Sequence, residues 1–273
     1  MHERILQRTA LLLFLLPTLL AAQQRPPVLE SPSVLPARTS RIEIGGAYYQ
    51  QQFFPLSGLE GDLAQYGRLR FGYSFDGNVE LQFDGTLLNM LAIKSRRAAF
   101  NSNDTPTAST TGDVGDLTLW TKVQLMGEYR FPVAAGFRFG VQLPNAGNES
   151  GLGVDQFDFY ALTLIEKHIA GIRITANAGI AIIESPTELT DQHDMLLYGA
   201  GISFPVGEQT FLSIEATGRD SNSGEGVPRL ASMQGGVETT MAGLQWRIFV
   251  VSSLLHGDHS RGVECSAQYE FRL

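Results

Sequence analysis

The chain has one cysteine, Cys265, so it cannot form an internal disulfide. It is also short of basic charge, because 20 Lys and Arg stand against 28 Asp and Glu, which gives a formal net charge of −8. This balance argues against binding of nucleic acid or an anionic membrane surface through bulk charge. The most apolar stretch, Ala10–Leu20, is shorter than the roughly 20 apolar residues that a membrane-spanning helix needs. The sequence therefore predicts neither a disulfide scaffold nor a helical membrane anchor.

The N-terminus has the features of a secretory signal peptide. Arg4 and Arg8 precede the apolar stretch, and the small residues Ala21 and Ala22 follow it. We expect residues 1–22 to be removed on export, and residues 23–39, rich in proline, to form an extended periplasmic tail. Residues 40–273 are then one domain.

Within this domain, apolar residues recur at every second position. The alternation is clear over residues 69–75, 79–83, 117–125 and 263–273. A period of two is that of a β-strand with one face in an apolar medium and the other in a polar one. The pattern predicts an all-β fold of about 12 strands, with a range of 10–14. The strands are expected near residues 40–54, 66–76, 77–87, 115–130, 134–144, 156–167, 171–184, 194–205, 209–218, 231–239, 242–254 and 261–273.

The connections between these strands alternate between long and short, starting with a long one at residues 55–65. This alternation is typical of a closed antiparallel up-and-down β-barrel in the outer membrane of a Gram-negative envelope, with short periplasmic turns and long outer loops. Lipid offers no hydrogen bonds to the backbone, so such a sheet must close. A soluble sandwich or lipocalin-like barrel is the alternative, but it has little reason to separate long loops from short ones.

An outer-membrane barrel implies contact with lipid and lipopolysaccharide. The chain ends within an alternating aromatic strand, Tyr269–Leu273. That ending is similar to the signal that such barrels present to the barrel assembly machinery, although Leu273 stands where Phe or Trp is usual. We therefore expect this machinery as a partner, through the last strand.

The polar face of the strands points into the barrel lumen. The lumen-lining candidates of both charge signs are Arg68, Arg70, Glu80, Lys122, Gln124, Arg138, Arg173 and Arg247. Two interpretations remain open. The side chains could form a salt-bridged plug that holds a small barrel shut, or they could line a polar channel for small-molecule solutes. Twelve strands lie between the filled eight-stranded barrels and the open sixteen-stranded porins.

Catalytic and metal chemistry find little support in the sequence. His256 and His259 are three residues apart in an expected outer loop, which is the spacing of some metal sites, but such pairs are common by chance. We assign no metal and no cofactor. A hydrolase would need a nucleophile held by a base, and Ser253 with His256 is the best pair available. Since no G-x-S-x-G motif accompanies it, we expect no enzyme.

The segment from Thr111 to Pro144 contains TGDVGDLTLWTKVQL and, after about ten residues, FRFGVQLP. It resembles a bacterial family of proposed outer-membrane transporters named for the MetA pathway of phenol degradation. Departures are the extra residue in TGDVGD and Asn145-Ala146 after the second strand. The resemblance implies a barrel that passes hydrophobic or aromatic small molecules. In this interpretation Gly112, Asp113, Gly115 and Asp116 form a loop-to-strand turn, and a calcium site there is unsupported.

This architecture predicts where the protein is found and how it migrates on a gel. Expressed with its signal peptide, the protein should fractionate with the outer membrane. Because a closed barrel resists detergent until it is heated, its gel mobility should shift on boiling. A soluble periplasmic protein with no shift would contradict the barrel.

Overall fold

The computed structural model describes residues 29–54, 57–97, 106–145, 147–153, 156–184, 192–221, 229–255 and 258–272. These residues form an all-β fold apart from one short 3-10 helix, Asn148–Ser150. Among the helices of these residues, none is long and apolar enough to cross a membrane. The strands are β1 (Thr39–Phe54), β2 (Leu59–Ser74), β3 (Val79–Arg96), β4 (Thr110–Asp113), β5 (Leu117–Met126), β6 (Ala134–Leu143), β7 (Asp158–Ile169), β8 (Ile172–Glu184), β9 (Gln192–Pro205), β10 (Thr210–Ser221), β11 (Leu230–Met241), β12 (Leu244–Ser253) and β13 (Arg261–Arg272).

The strands form one ring. Neighbouring strands pair antiparallel around the sheet, and β1 pairs with β13 from Thr39↔Arg272 to Gln50↔Arg261. On its other side β1 pairs with β2, which pairs with β3. The ring satisfies the backbone hydrogen bonds that lipid cannot supply. The expected closed antiparallel barrel is confirmed.

Thirteen strands make a barrel of twelve because β4 and β5 are two parts of one strand. Both pair with β3, and the pairs Asn89↔Asp113 and Asp84↔Thr118 belong to a single antiparallel register. The interruption covers Val114–Asp116. Within it, the backbone N–H of Gly115 still donates to the carbonyl of Thr86 at 2.6 Å. The strand count predicted from the sequence is therefore confirmed.

The outer surface of the barrel is apolar. On β12, Ile248 and Val250 are 56% and 61% exposed, whereas the intervening Phe249 is buried on the lumen side. The same alternation on β10 leaves Ile214 exposed and Ser213 buried. A band of exposed aliphatic and aromatic side chains on every other position suits contact with lipid acyl chains.

The two ends of the barrel differ in their connections. At one end, called here the short-turn end, β7–β8 and β11–β12 are joined by the two-residue turns Ala170-Gly171 and Ala242-Gly243. All four residues have positive φ, between 51° and 84°. Such turns match the twist of the paired strands. The termini of the sheet, Thr39 and Arg272, lie at this end.

The other end carries the long loops, with one exception. The expected long first loop at residues 55–65 is wrong, because β2 already begins at Leu59. Residues 60–65 pair with β3 instead, and all of them except Asp62 also pair with β1. The sequence did not indicate a strand here, because Gly61 and Asp62 are residue types that are rare in strands.

Candidate functional site in the barrel lumen

Residues 29–38, called here the lumen segment, cross the inside of the barrel. The backbone N–H of Glu30 donates to Asn177 Oδ1 at 2.9 Å, and Asn177 Nδ2 donates back to the Glu30 carbonyl at 3.0 Å. Further along, the N–H of Leu35 donates to Glu80 Oε2 at 3.0 Å. The segment is thus bound to β8 and β3. This differs from the expected tail in the periplasm, because this part of the tail finds polar partners inside the barrel.

Two glycines of the wall make room for the segment. A Cβ added at Gly136 would lie 3.0 Å from Cβ of Pro32, and one at Gly201 would lie 2.6 Å from Cδ2 of Leu29. A side chain at Gly136 would press against Pro32 and the carbonyl of Val123, and one at Gly201 would require the Leu29 side chain to turn away. The absence of a side chain at Gly136 and Gly201 is therefore what allows the close approach.

The segment brings Glu30 to a buried cation. Lys122 Nζ lies 3.2 Å from Glu30 Oε1 and 3.4 Å from Glu80 Oε2. Only 1% of the Lys122 side chain is exposed. Burial on its own raises the pKa of Glu30, but the charges of Lys122, Arg138 and Arg70 outweigh it and hold the pKa below its usual range. Glu30 is therefore a carboxylate in the lumen.

A second buried cation lies next to this pair. Arg138 is fully buried; its Nε donates to Gln82 Oε1 at 2.9 Å and its guanidinium lies 3.3 Å from Asp84. The same guanidinium stacks over the ring of Trp120 at 3.9 Å. Arg70 connects the two groups, because it contacts Asp84 at 2.8 Å and Glu30 at 3.6 Å. The wall formed by β3, β5 and β6 is thus sealed by paired charges.

The opposite wall leaves space. A cavity of about 180 Å³ opens toward the long-loop end, lined among others by Arg68, Phe249 and Glu264. A cavity of about 380 Å³ opens toward the short-turn end, lined among others by Arg173 and Glu238. We call them the upper and lower cavities. Both are lined by Leu29, Arg70, Glu215 and Arg247, so they adjoin these four residues beside the lumen segment.

The lumen-lining candidates occupy several places in this arrangement. Arg68 lines the upper cavity, Lys122 and Arg173 line the lower one, and Arg70 and Arg247 line both. Glu80 and Arg138 are buried in the sealed wall. Gln124 lies at the short-turn end of β5 and lines neither cavity.

Several acidic residues of the site were missed from the sequence, among them Glu30, Glu43 and Glu215. Glu30 lies in a proline-rich stretch with no strand period, so no signal placed it in the barrel. Glu43 and Glu215 are adjacent in sequence to Ile44 and Ile214, which lie on the outer face of the barrel. The period of two therefore places both glutamates on the lumen side, so they could have been predicted.

The expected loop-to-strand turn needs correction. Gly112 and Asp113 belong to β4, and Gly115 and Asp116 lie in the break between β4 and β5. Neither glycine is among those with positive φ. Buried Asp116 accepts a hydrogen bond from Gln142 Nε2 at 2.7 Å, and Gln142 Oε1 accepts one from the Tyr160 hydroxyl at 2.9 Å. The pattern therefore marks an interrupted strand tied to β6 and β7.

The weak metal and catalytic candidates are only partly within the described residues. His256 lies outside the described residues, and His259 is exposed. The part of the chain that is described contains no group of three or more metal-binding side chains. The Ser253 hydroxyl donates to the carbonyl of Ala231 at 3.3 Å.

Because Lys122 is buried between the carboxylates of Glu30 and Glu80, we expect its substitution to destabilise the protein. Lys122→Met leaves Glu30 and Glu80 without their shared cation, and should lower the free energy of unfolding by about 3 kcal/mol. Adding Glu30→Gln should recover part of that loss. Urea unfolding of the refolded protein in detergent measures both.

The matched control is the exposed pair Arg229–Asp220, joined at 2.7 Å with side chains 65% and 43% exposed. Arg229→Met should change the free energy of unfolding by about 1 kcal/mol or less. An equal effect of the two substitutions would show that Lys122 is not held as described.

No family model and no curated protein matches the chain. Among solved structures, it is similar to an outer membrane channel from Pseudomonas putida F1, with a TM-score of 0.62 and 13% identity over 91% of this chain and 99% of that one. The translocator domain of the autotransporter NalP from Neisseria meningitidis (TM-score 0.45, 9% identity, 86% and 87% covered) and the channel DcaP of Acinetobacter baumannii (0.43, 9%, 92% and 100%) are more distant. At this identity the first likeness shows the fold alone: an outer-membrane β-barrel.

Proposed function

We propose that this protein is an outer-membrane channel that passes small molecules between the lumen segment and the wall formed by β10–β13. The observation that carries the proposal is that the upper and lower cavities share four lining residues, Leu29, Arg70, Glu215 and Arg247. Together they extend from the long-loop side to the short-turn side of the segment. A polar, hydrated path past a fixed obstruction is what a narrow channel needs.

The solute class is a finer proposal. The resemblance of Thr111–Pro144 to the phenol-degradation transporters favours hydrophobic or aromatic molecules. In the upper cavity Leu29, Phe249 and Val251 offer apolar surface, while Arg68 and Glu264 offer charge. We propose small solutes that combine an apolar or aromatic part with a polar group. The similar Pseudomonas putida protein is called a channel, which supports the proposal by analogy of fold only.

A closed barrel is the second candidate. It is favoured by the sealed wall, in which Lys122, Glu80 and Arg138 are almost completely buried. In that case the lumen segment is a structural part of the barrel, and the apolar outer surface and the loops carry whatever role the protein has in the membrane. Contact with lipid and lipopolysaccharide, and assembly through β13, are proposed in both cases.

Conductance separates these candidates. The refolded mature chain should carry current in a planar bilayer and admit small aromatic solutes into liposomes. Deleting residues 29–36 should increase the current several-fold, because the segment occupies the centre of the lumen. The shortened protein should still fold, because Lys122 retains its ion pair with Glu80 and Arg70 retains its ion pair with Asp84.

A loop substitution, Glu149→Gln, is the control and should leave the current unchanged. No current from the full chain, or current only after the deletion, would overturn the proposed path beside the segment and favour the closed barrel.

A further inference from the structure

Glu215 faces the lumen segment at the place that lines both cavities. A Cβ added at Gly201 would lie 2.6 Å from Leu29 Cδ2 and 3.0 Å from Glu215 Cγ, so the side chains of Leu29 and Glu215 share the space over this glycine. Both also line the two cavities. In the proposed channel, a solute that moves from one cavity to the other passes the side chains that line both, and Glu215 is one of them.

The two cations at this place are already neutralised. Arg70 contacts Asp84 at 2.8 Å, and Glu30 and Glu43 at 3.6 and 4.0 Å. Arg247 lies between Glu43 at 3.7 Å and Glu238 at 4.0 Å. Each guanidinium therefore has at least two carboxylates within ion-pair distance.

Glu215 has no such partner. Its carboxylate accepts a hydrogen bond from Gln234 Nε2 at 2.5 Å, and among the described side chains no basic group lies within ion-pair distance of it. The other lumen carboxylates near it are paired: Glu43 and Glu238 with Arg247, and Glu264 with Arg68. Among the described side chains that line both cavities, Glu215 is thus the charged group that has no ion-pair partner within 4.0 Å.

We propose that Glu215 makes the passage selective for cations, so that small monovalent cations and solutes with an ammonium group cross in preference to anions. The inference rests on the proposed channel function. A fixed charge in a narrow passage with low-dielectric walls concentrates ions of the opposite sign and repels those of its own. In this proposal Glu215 acts on ion selectivity and takes part in no chemical reaction.

A second carboxylate of the lumen provides a matched comparison. Glu166 is buried, accepts a hydrogen bond from Thr175 Oγ1 at 3.2 Å and takes part in none of the ion pairs found in the described residues. It lines the lower cavity, which is the larger one, but not the upper. Neutralising Glu166 removes the same charge at a position that lines only the lower cavity.

The reversal potential across a KCl gradient in a planar bilayer tests the proposal. The wild-type protein should favour K⁺ over Cl⁻ by roughly tenfold, the lower end of the enrichment that a cleft of one charge sign gives. Glu215→Gln should bring the ratio close to unity. Glu215→Asp should keep most of the preference, and so should Glu166→Gln. The shift of gel mobility on boiling verifies that each variant is folded.

An unchanged ratio in Glu215→Gln, or an equal fall in Glu166→Gln, would overturn the assignment to Glu215. Current without any preference for K⁺ in the wild-type protein would overturn it as well, and would leave the channel function standing. A wild-type protein that carries no current would overturn the channel function and this inference together.

Discussion

The structure depends on compensating one buried charge, that of Lys122. An ammonium group placed inside a barrel loses its water, and the cost is several kcal/mol unless carboxylates replace that water. Glu80 supplies one carboxylate from the neighbouring strand, and Glu30 supplies the other from the segment before the first strand. The charge therefore holds the N-terminal segment inside the barrel, and the segment in turn divides the lumen into two cavities.

This division accounts for the asymmetry of the lumen. On the side of β3, β5 and β6, Arg138 stacks on Trp120 and pairs with Asp84, and the glycine at position 136 lets the segment pack closely. On the side of β10–β13 the two cavities remain beside the segment. The closed-plug and channel interpretations of the sequence thus describe two halves of one lumen.

Most of the fold could be predicted from the sequence, because a period of two is read residue by residue along each strand. Ile248 and Val250 outside and Arg247 inside follow from it directly. The position of Glu30 could not be predicted, since it depends on a partner, Lys122, that lies 92 residues away. The break at Val114–Asp116 was misplaced for a similar reason: glycine and aspartate suggest a turn locally, while pairing with β3 keeps the chain in register.

The location of the lumen segment is the central claim, and the protection of a thiol placed in it tests that claim most directly. Leu35 is 2% exposed, and its backbone N–H donates to Glu80 Oε2 inside the barrel. In a Cys265→Ser background, Leu35→Cys should react with a membrane-impermeant maleimide far more slowly in the folded protein than after unfolding in urea. A thiol that reacts equally fast in both states would place the segment outside the barrel.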